Sequence, residues 1–151
     1  MLRMDMKGKP LPLSFKGLDG GQIDIRSARG KTVLIVYWAT WCKPCFEDLP
    51  KLRAMYQQYR SQGFEVIGVN LDNQPNGVKP YMQQNGMTWP QVYEPGGLDS
   101  PPSLAFGIIS LPTMFLVDKA GIVHSRPASM DDVKAALPEL LGLKKTANAK
   151  E

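Results

Sequence analysis

Cys42 and Cys45 stand three positions apart in Trp41-Cys42-Lys43-Pro44-Cys45, and the chain has no other cysteine. A Cys-x-x-Cys pair serves two chemistries. One is half of a zinc site, which needs four soft ligands. This chain offers two thiols and a lone His124, so no closed intrachain zinc site can be assembled. A bridge between two copies is the only metal alternative left, and no metal is expected. The second chemistry is a redox dithiol at the start of a helix, where unpaired amides and the helix dipole stabilise a thiolate. In that reading Cys42, just before the first turn, is the exposed attacking thiol with a lowered pKa. Cys45, one turn in, is more buried and resolves the mixed disulfide. Pro44 holds the turn, in a position where a missing amide costs nothing. Two core cysteines that merely lie close together are the bland alternative.

The elements around the pair suit the redox reading. Positions 32–39 form a continuous apolar, β-branched run, the pattern of a strand buried on both faces. A helix is predicted over 43–61, with Phe46, Leu49, Leu52, Met55/Tyr56 and Tyr59 as one apolar stripe. Pro50 should kink it and Gly63 should end it. Upstream, 11–15 and 23–25 around Gly17-Leu18-Asp19-Gly20-Gly21 read as a β-hairpin. Downstream come a buried strand at 64–71, a short helix at 78–84 and a short strand at 88–93. A Pro/Gly-rich loop at 94–103 and a helical turn at 103–106 follow. A hairpin then joins 113–118 to 122–125, and a helix capped by Ser129 runs to Leu141 before Gly142. Strands alternating with helices make the architecture α/β, a mixed sheet with helices on both faces.

Composition excludes several classes. The 151 residues are 43% hydrophobic and 21% charged, values of an ordinary globular domain. No stretch reaches the ~18 apolar residues of a membrane span. The net charge of +4 is concentrated at the ends. Residues 1–16 carry Arg3, Lys7, Lys9 and Lys16 against Asp5, and 142–151 carry Lys144, Lys145 and Lys150 against Glu151. The body between is slightly acidic, so there is no folded basic face for nucleic acid. One domain over 1–143 and a disordered basic tail over 144–151 are expected. The first residues lack a signal peptide's apolar core and cleavage site. That leaves a cytoplasmic protein, or a chain whose targeting segment is absent.

Val36-Tyr37-Trp38-Ala39-Thr40-Trp41-Cys42-Lys43-Pro44-Cys45 resembles the active-site segment of thioredoxin-fold oxidoreductases. Gly20-Gly21-Gln22-Ile23-Asp24-Ile25 followed by Gly30-Lys31-Thr32-Val33-Leu34-Ile35 narrows the resemblance. It points to the TlpA/ResA-like, cytochrome-c-maturation branch, which shares its hairpin with the alkyl hydroperoxide reductase/thiol-specific antioxidant superfamily. Leu111-Pro112-Thr113-Met114-Phe115-Leu116-Val117-Asp118 with Gly121-Ile122-Val123 is similar to that branch's cis-proline strand and closing hairpin. The resemblance covers residues 8–141.

It implies a thioredoxin-like fold with a central insertion, here 71–104, and a thiol–disulfide oxidoreductase needing no cofactor. Pro112 should follow a cis peptide bond and face the cysteines. The Leu111 backbone would be free to pair with an extended substrate. Thr113, Trp41, Lys43 and Pro44 would line the substrate site, and Trp41 would shield the disulfide. Asp48, at a position usually occupied by Glu, would tune thiol ionisation and relay a proton. The implied partners are protein disulfides or dithiols, such as apocytochrome c, and a membrane thiol donor. A monomer and an extracytoplasmic location, periplasm or cell envelope, go with that. Val36 replaces the buried Asp of plain thioredoxins, and Met114 replaces a common second Thr.

Two other functions compete. A peroxiredoxin-type thiol peroxidase needs Thr or Ser three residues before its peroxidatic cysteine, where this chain has Ala39. A thioredoxin-fold binding module would keep the pair as a structural disulfide. The direction of electron flow stays open, because Lys43 favours a Cys42 thiolate and Asp48 opposes it.

Overall fold

Every residue of Thr32–Trp38 is buried, and the run forms the middle strand of a mixed sheet. The structure, a computed structural model, describes residues 6–143, so the tail expected at 144–151 lies outside the described residues. In chain order the elements are β1 (Ser14–Lys16), β2 (Gln22–Asp24), β3 (Thr32–Trp38), α1 (Lys43–Tyr59) and β4 (Phe64–Asn70). They continue with α2 (Val78–Gln84), β5 (Gln91–Val92), α3 (Pro101–Ala105), β6 (Thr113–Val117), β7 (Val123–Ser125) and α4 (Met130–Leu140). The main sheet has the order β5-β4-β3-β6-β7, with β3, β4 and β5 parallel and β6 and β7 antiparallel to their neighbours. The predicted α/β architecture is the one observed.

The period of two along the strands splits the core. Leu34, Val36 and Trp38 of β3, with Met114 and Leu116 of β6, face α1 and α4. Val33, Ile35 and Tyr37, with Phe115 and Val117, face the N-terminal segment, where Leu11, Leu13 and Ile25 are buried, and the stretch around Phe106 and Ile108. The hairpin of β1 and β2 forms as predicted, though its first strand starts at Ser14 rather than Leu11. It lies along the sheet edge, where the Leu18 N–H donates to the Gln91 carbonyl and the Tyr93 N–H to the Lys16 carbonyl. The edge strand β5 is thereby covered and not left open for pairing.

Three expectations need correction. Phe46 is not on the buried stripe of α1. It is 51% exposed and meets Tyr81 edge-on, because at this end of α1 the stripe faces α2 and not the sheet. The strand predicted at 88–93 is only Gln91–Val92, since Pro90 has no N–H to donate to a ladder. The loop at 94–103 contains a 3-10 turn, Gly97–Asp99, and the start of α3, which begins at Pro101 and not Ser103. Pro101 and Pro102 occupy a first turn, where prolines leave no bond unmade. Helix α1 runs uninterrupted through Pro50, a 3-10 turn follows it, and Gly63 closes that turn with φ 99°.

Candidate active site

Helix α1 begins at the C-terminal end of β3, where an open α/β sheet gathers its functional groups. Cys42 is the N-cap of this helix, in extended backbone, and its Sγ accepts the N–H of Cys45 at 3.2 Å. Lys43 and Pro44 fill the first turn, so one of the amides that would need a partner does not exist. Cys42 and Cys45 are joined as a disulfide with a Cα–Cα distance of 5.3 Å.

The predicted contrast in exposure between the two sulfurs is not found. Cys42 is 4% exposed and Cys45 6%. Acting as the cap folds the Cys42 side chain back over the first turn and away from water. Trp41, by contrast, is 62% exposed, and Lys43 and Pro44 are exposed as well. The rim of the site is therefore an apolar ring beside a cation.

The peptide bond between Leu111 and Pro112 is cis, as expected. The turn before β6 is closed by Thr113, whose hydroxyl donates to the Ser110 carbonyl at 2.7 Å. That bond turns the Thr113 side chain back into its own turn. Pro112 lines one small cavity together with Cys45 and Asp48, walled by Val36, Trp38, Tyr81 and Trp89. Pro112, remote in the chain, is thus brought to the cavity that Cys45 and Asp48 share one helical turn apart. Leu111 is half-buried against the hydrophobic clusters on both faces of the sheet. Burial pushes the Asp48 carboxyl above its ordinary range. Lys51 pulls it down, while Glu47 and Asp131 push it further up. A carboxyl raised in this way can exchange a proton nearer neutral pH than a free one.

Sequence reading missed a second polar group at the same end of the sheet. Asp72 is buried just beyond β4, and its carboxylate accepts the Thr40 N–H at 3.0 Å and the Thr40 hydroxyl at 2.7 Å. The Asn70 amide donates to it at 2.7 Å, and Asn70 Oδ1 accepts the Asp72 N–H at 2.9 Å. The signal was register. With Trp38 opposite Asn70 in a parallel pair, residues 40 and 72 must leave the sheet side by side.

The disulfide, its helix N-terminus and the cis-proline turn form one constellation that can pass two electrons by thiol exchange. Comparison with known proteins agrees with it. The model of the AhpC/TSA family matches residues 7–126. Thiol-disulfide oxidoreductase ResA from Bacillus thuringiensis subsp. konkukian is 35% identical over 106 residues, 70% of this chain and 60% of its own length. ResA from Geobacillus thermodenitrificans is 35% identical over 128 residues, 82% of this chain and 71% of its own length. The chain thus spans 60% of the length of the first of these curated relatives. Among solved structures, a thioredoxin-family thiol:disulfide interchange protein from Chlorobium tepidum TLS superposes with a TM-score of 0.75 at 27% identity. That match covers 90% of this chain and 98% of the other. The fold is thioredoxin-like.

Proposed function

The chain belongs to the AhpC/TSA family, and from that premise we propose that it is a thiol–disulfide oxidoreductase acting on protein disulfides. One observation carries the reading: Cys42 caps a helix whose first-turn amide already points at its sulfur, 3.2 Å away. In the reduced protein the same amide and the helix N-terminus favour a Cys42 thiolate. The thiolate attacks one sulfur of a substrate disulfide. A Cys42–substrate bond forms, the substrate's S–S bond breaks, and its other sulfur leaves as a thiolate. Cys45 then loses its proton and attacks Cys42 Sγ, releasing the second substrate thiolate. Two electrons have moved to the substrate, and the chain is left as the Cys42–Cys45 disulfide.

Around this step Asp48 is the group that takes the Cys45 proton, across the small cavity the two share with Pro112. The Leu111 backbone pairs with an extended substrate segment. Thr113 holds that turn, and Trp41, Lys43 and Pro44 meet the substrate at the rim. A dithiol donor in the membrane recharges the pair. Substrates are disulfides of the cell envelope, apocytochrome c among them. This location rests on the resemblance to the ResA-type branch. Labelling of the cysteines in intact cells by a membrane-impermeant maleimide, after mild reduction, separates it from the cytoplasmic alternative.

The mechanism is tested by removing the resolving thiol. A Cys45→Ser variant treated with an oxidised peptide disulfide is expected to accumulate a one-to-one adduct on Cys42, seen by mass. Cys42→Ser should form its adduct on Cys45 at least about tenfold more slowly, because that thiol lacks the cap position. Equal rates in the two variants would contradict the assignment of roles.

A further inference from the structure

The turn that delivers Cys42 to its helix is Ala39-Thr40-Trp41-Cys42, closed by the Cys42 N–H donating to the Ala39 carbonyl at 3.2 Å. That bond fixes the ends of the turn and leaves its middle to be held from outside. Asp72 holds it, through both the N–H and the hydroxyl of Thr40. The Asp72 rotamer is in turn locked by Asn70, which donates to its carboxylate and accepts its N–H. The Leu71 N–H also donates to the Trp38 carbonyl at 2.8 Å, so the end of β4 and the end of β3 are tied by three hydrogen bonds, one at Leu71 and two at Asp72. We propose that Asp72 is a positioning residue for the redox pair: it clamps the Cys42 turn to β4 and sets, by its charge, how readily Cys42 ionises.

The charge argument is separate from the clamp. Asp72 is 7% exposed, and among the described residues no ion pair neutralises it. An uncompensated anion in a poorly hydrated setting acts over several ångströms. Its field is felt on neighbouring elements. Burial is the main cause of the raised phenols of Tyr81 on α2 and Tyr93 beyond β5, and Asp72 adds to both. The charged groups nearest the pair along α1 are Lys43, Glu47 and Asp48, and Lys51 of α1 and Asp131 of α4 act on Asp48 in turn. Lys43 favours a Cys42 thiolate, and the carboxylates oppose it. Asp72 therefore keeps the Cys42 thiol pKa higher than the helix terminus alone would set. A less stable thiolate makes the dithiol form less stable and the protein more reducing.

The inference rests on the redox reading above, and its test is arranged so that the two can fail separately. Asp72→Asn keeps the shape of the clamp. The amide oxygen still accepts the Thr40 and Asn70 N–H groups, and its nitrogen can donate to the Thr40 hydroxyl. Only the charge is lost. The Cys42 thiol pKa, followed by the pH dependence of alkylation in a Cys45→Ser background, is expected to fall. In the two-cysteine protein the equilibrium with a thiol buffer should move three- to tenfold toward the dithiol, roughly 15 to 30 mV.

Thr40→Val removes one arm of the clamp and leaves the charge. It should lower the rate of substrate reduction about threefold or more, with Thr40→Ser restoring it, as one hydrogen bond to a charged acceptor would give. A wild-type pair that does not exchange reversibly would overturn the functional reading itself. A wild type that titrates normally, beside an Asp72→Asn protein with the same thiol pKa and the same equilibrium, would overturn this inference, whatever its melting temperature.

Discussion

Cys42→Ser is expected to abolish disulfide turnover, leaving at most about a thousandth of the wild-type rate of dithiothreitol-driven insulin reduction. Serine keeps the size and capping capacity of the side chain, so the helix still starts where it did. Its hydroxyl does not ionise near neutral pH and cannot form the mixed disulfide, and a slow adduct on Cys45 has no second thiol in the chain to resolve it. The fold should survive. The lost crosslink closes a very short loop, and by chain entropy its removal costs roughly 2 kcal/mol. Unchanged turnover in a folded Cys42→Ser protein would exclude the proposed mechanism, and lost turnover with a native spectrum would support it.

The largest expected loss of stability is at Gly68. This residue lies in β4 between Val36 of β3 and Gln91 of β5, on the face that carries Trp38. The Gln91 side chain lies over it, 4% exposed, and Gln91 Oε1 accepts the Trp38 indole N–H at 2.8 Å. A Cβ at position 68 would overlap Gln91 Oε1 and stand 2.6 Å from its Cδ and Nε2. The amide can move only by giving up the indole. Gly68→Ala should therefore combine overpacking, about 1–3 kcal/mol, with a buried N–H left unpaired, another 1–3 kcal/mol. A destabilisation of about 2–6 kcal/mol in urea denaturation is expected, with the m-value unchanged. Gln91→Ala removes the obstacle, so the double variant should lose clearly less than the sum of the two single ones. A Gly68→Ala protein as stable as wild type would mean that the amide is not held as described.

Much of this molecule could be read from its residues because its strongest signals are local. The run Val33–Trp38 after Thr32 is apolar and rich in β-branched residues, the pattern of a strand covered on both faces, and it lies in the central strand. The cysteine pair followed by Pro44, the Leu111-Pro112 turn and the Ser129 cap each declare themselves within a few residues. Ser129 Oγ accepts the Asp132 N–H as the cap pattern requires.

What the sequence hid depends on distance. Phe46 fits a 3.6-residue stripe, but periodicity does not say which neighbour each turn of the stripe will meet. Cys42 is less exposed than its place before the first turn implies, because the cap hydrogen bond turns its sulfur inward. Asp72 and Thr40 are 32 positions apart and are neighbours only because β3 and β4 pair in parallel register. The small cavity shared by Cys45, Asp48 and Pro112 needs three elements in place before it exists.

A redox titration of the Cys42/Cys45 couple in thiol buffers, followed by alkylation and mass, bears most directly on the central claim. A single reversible two-electron couple near that of thioredoxin, at about −270 mV or lower, is the predicted result. A couple near about −120 mV would keep the exchange chemistry but reverse the electron flow proposed for it. A Cys42–Cys45 disulfide that never exchanges reversibly would contradict the account and leave the pair as a crosslink in a binding domain.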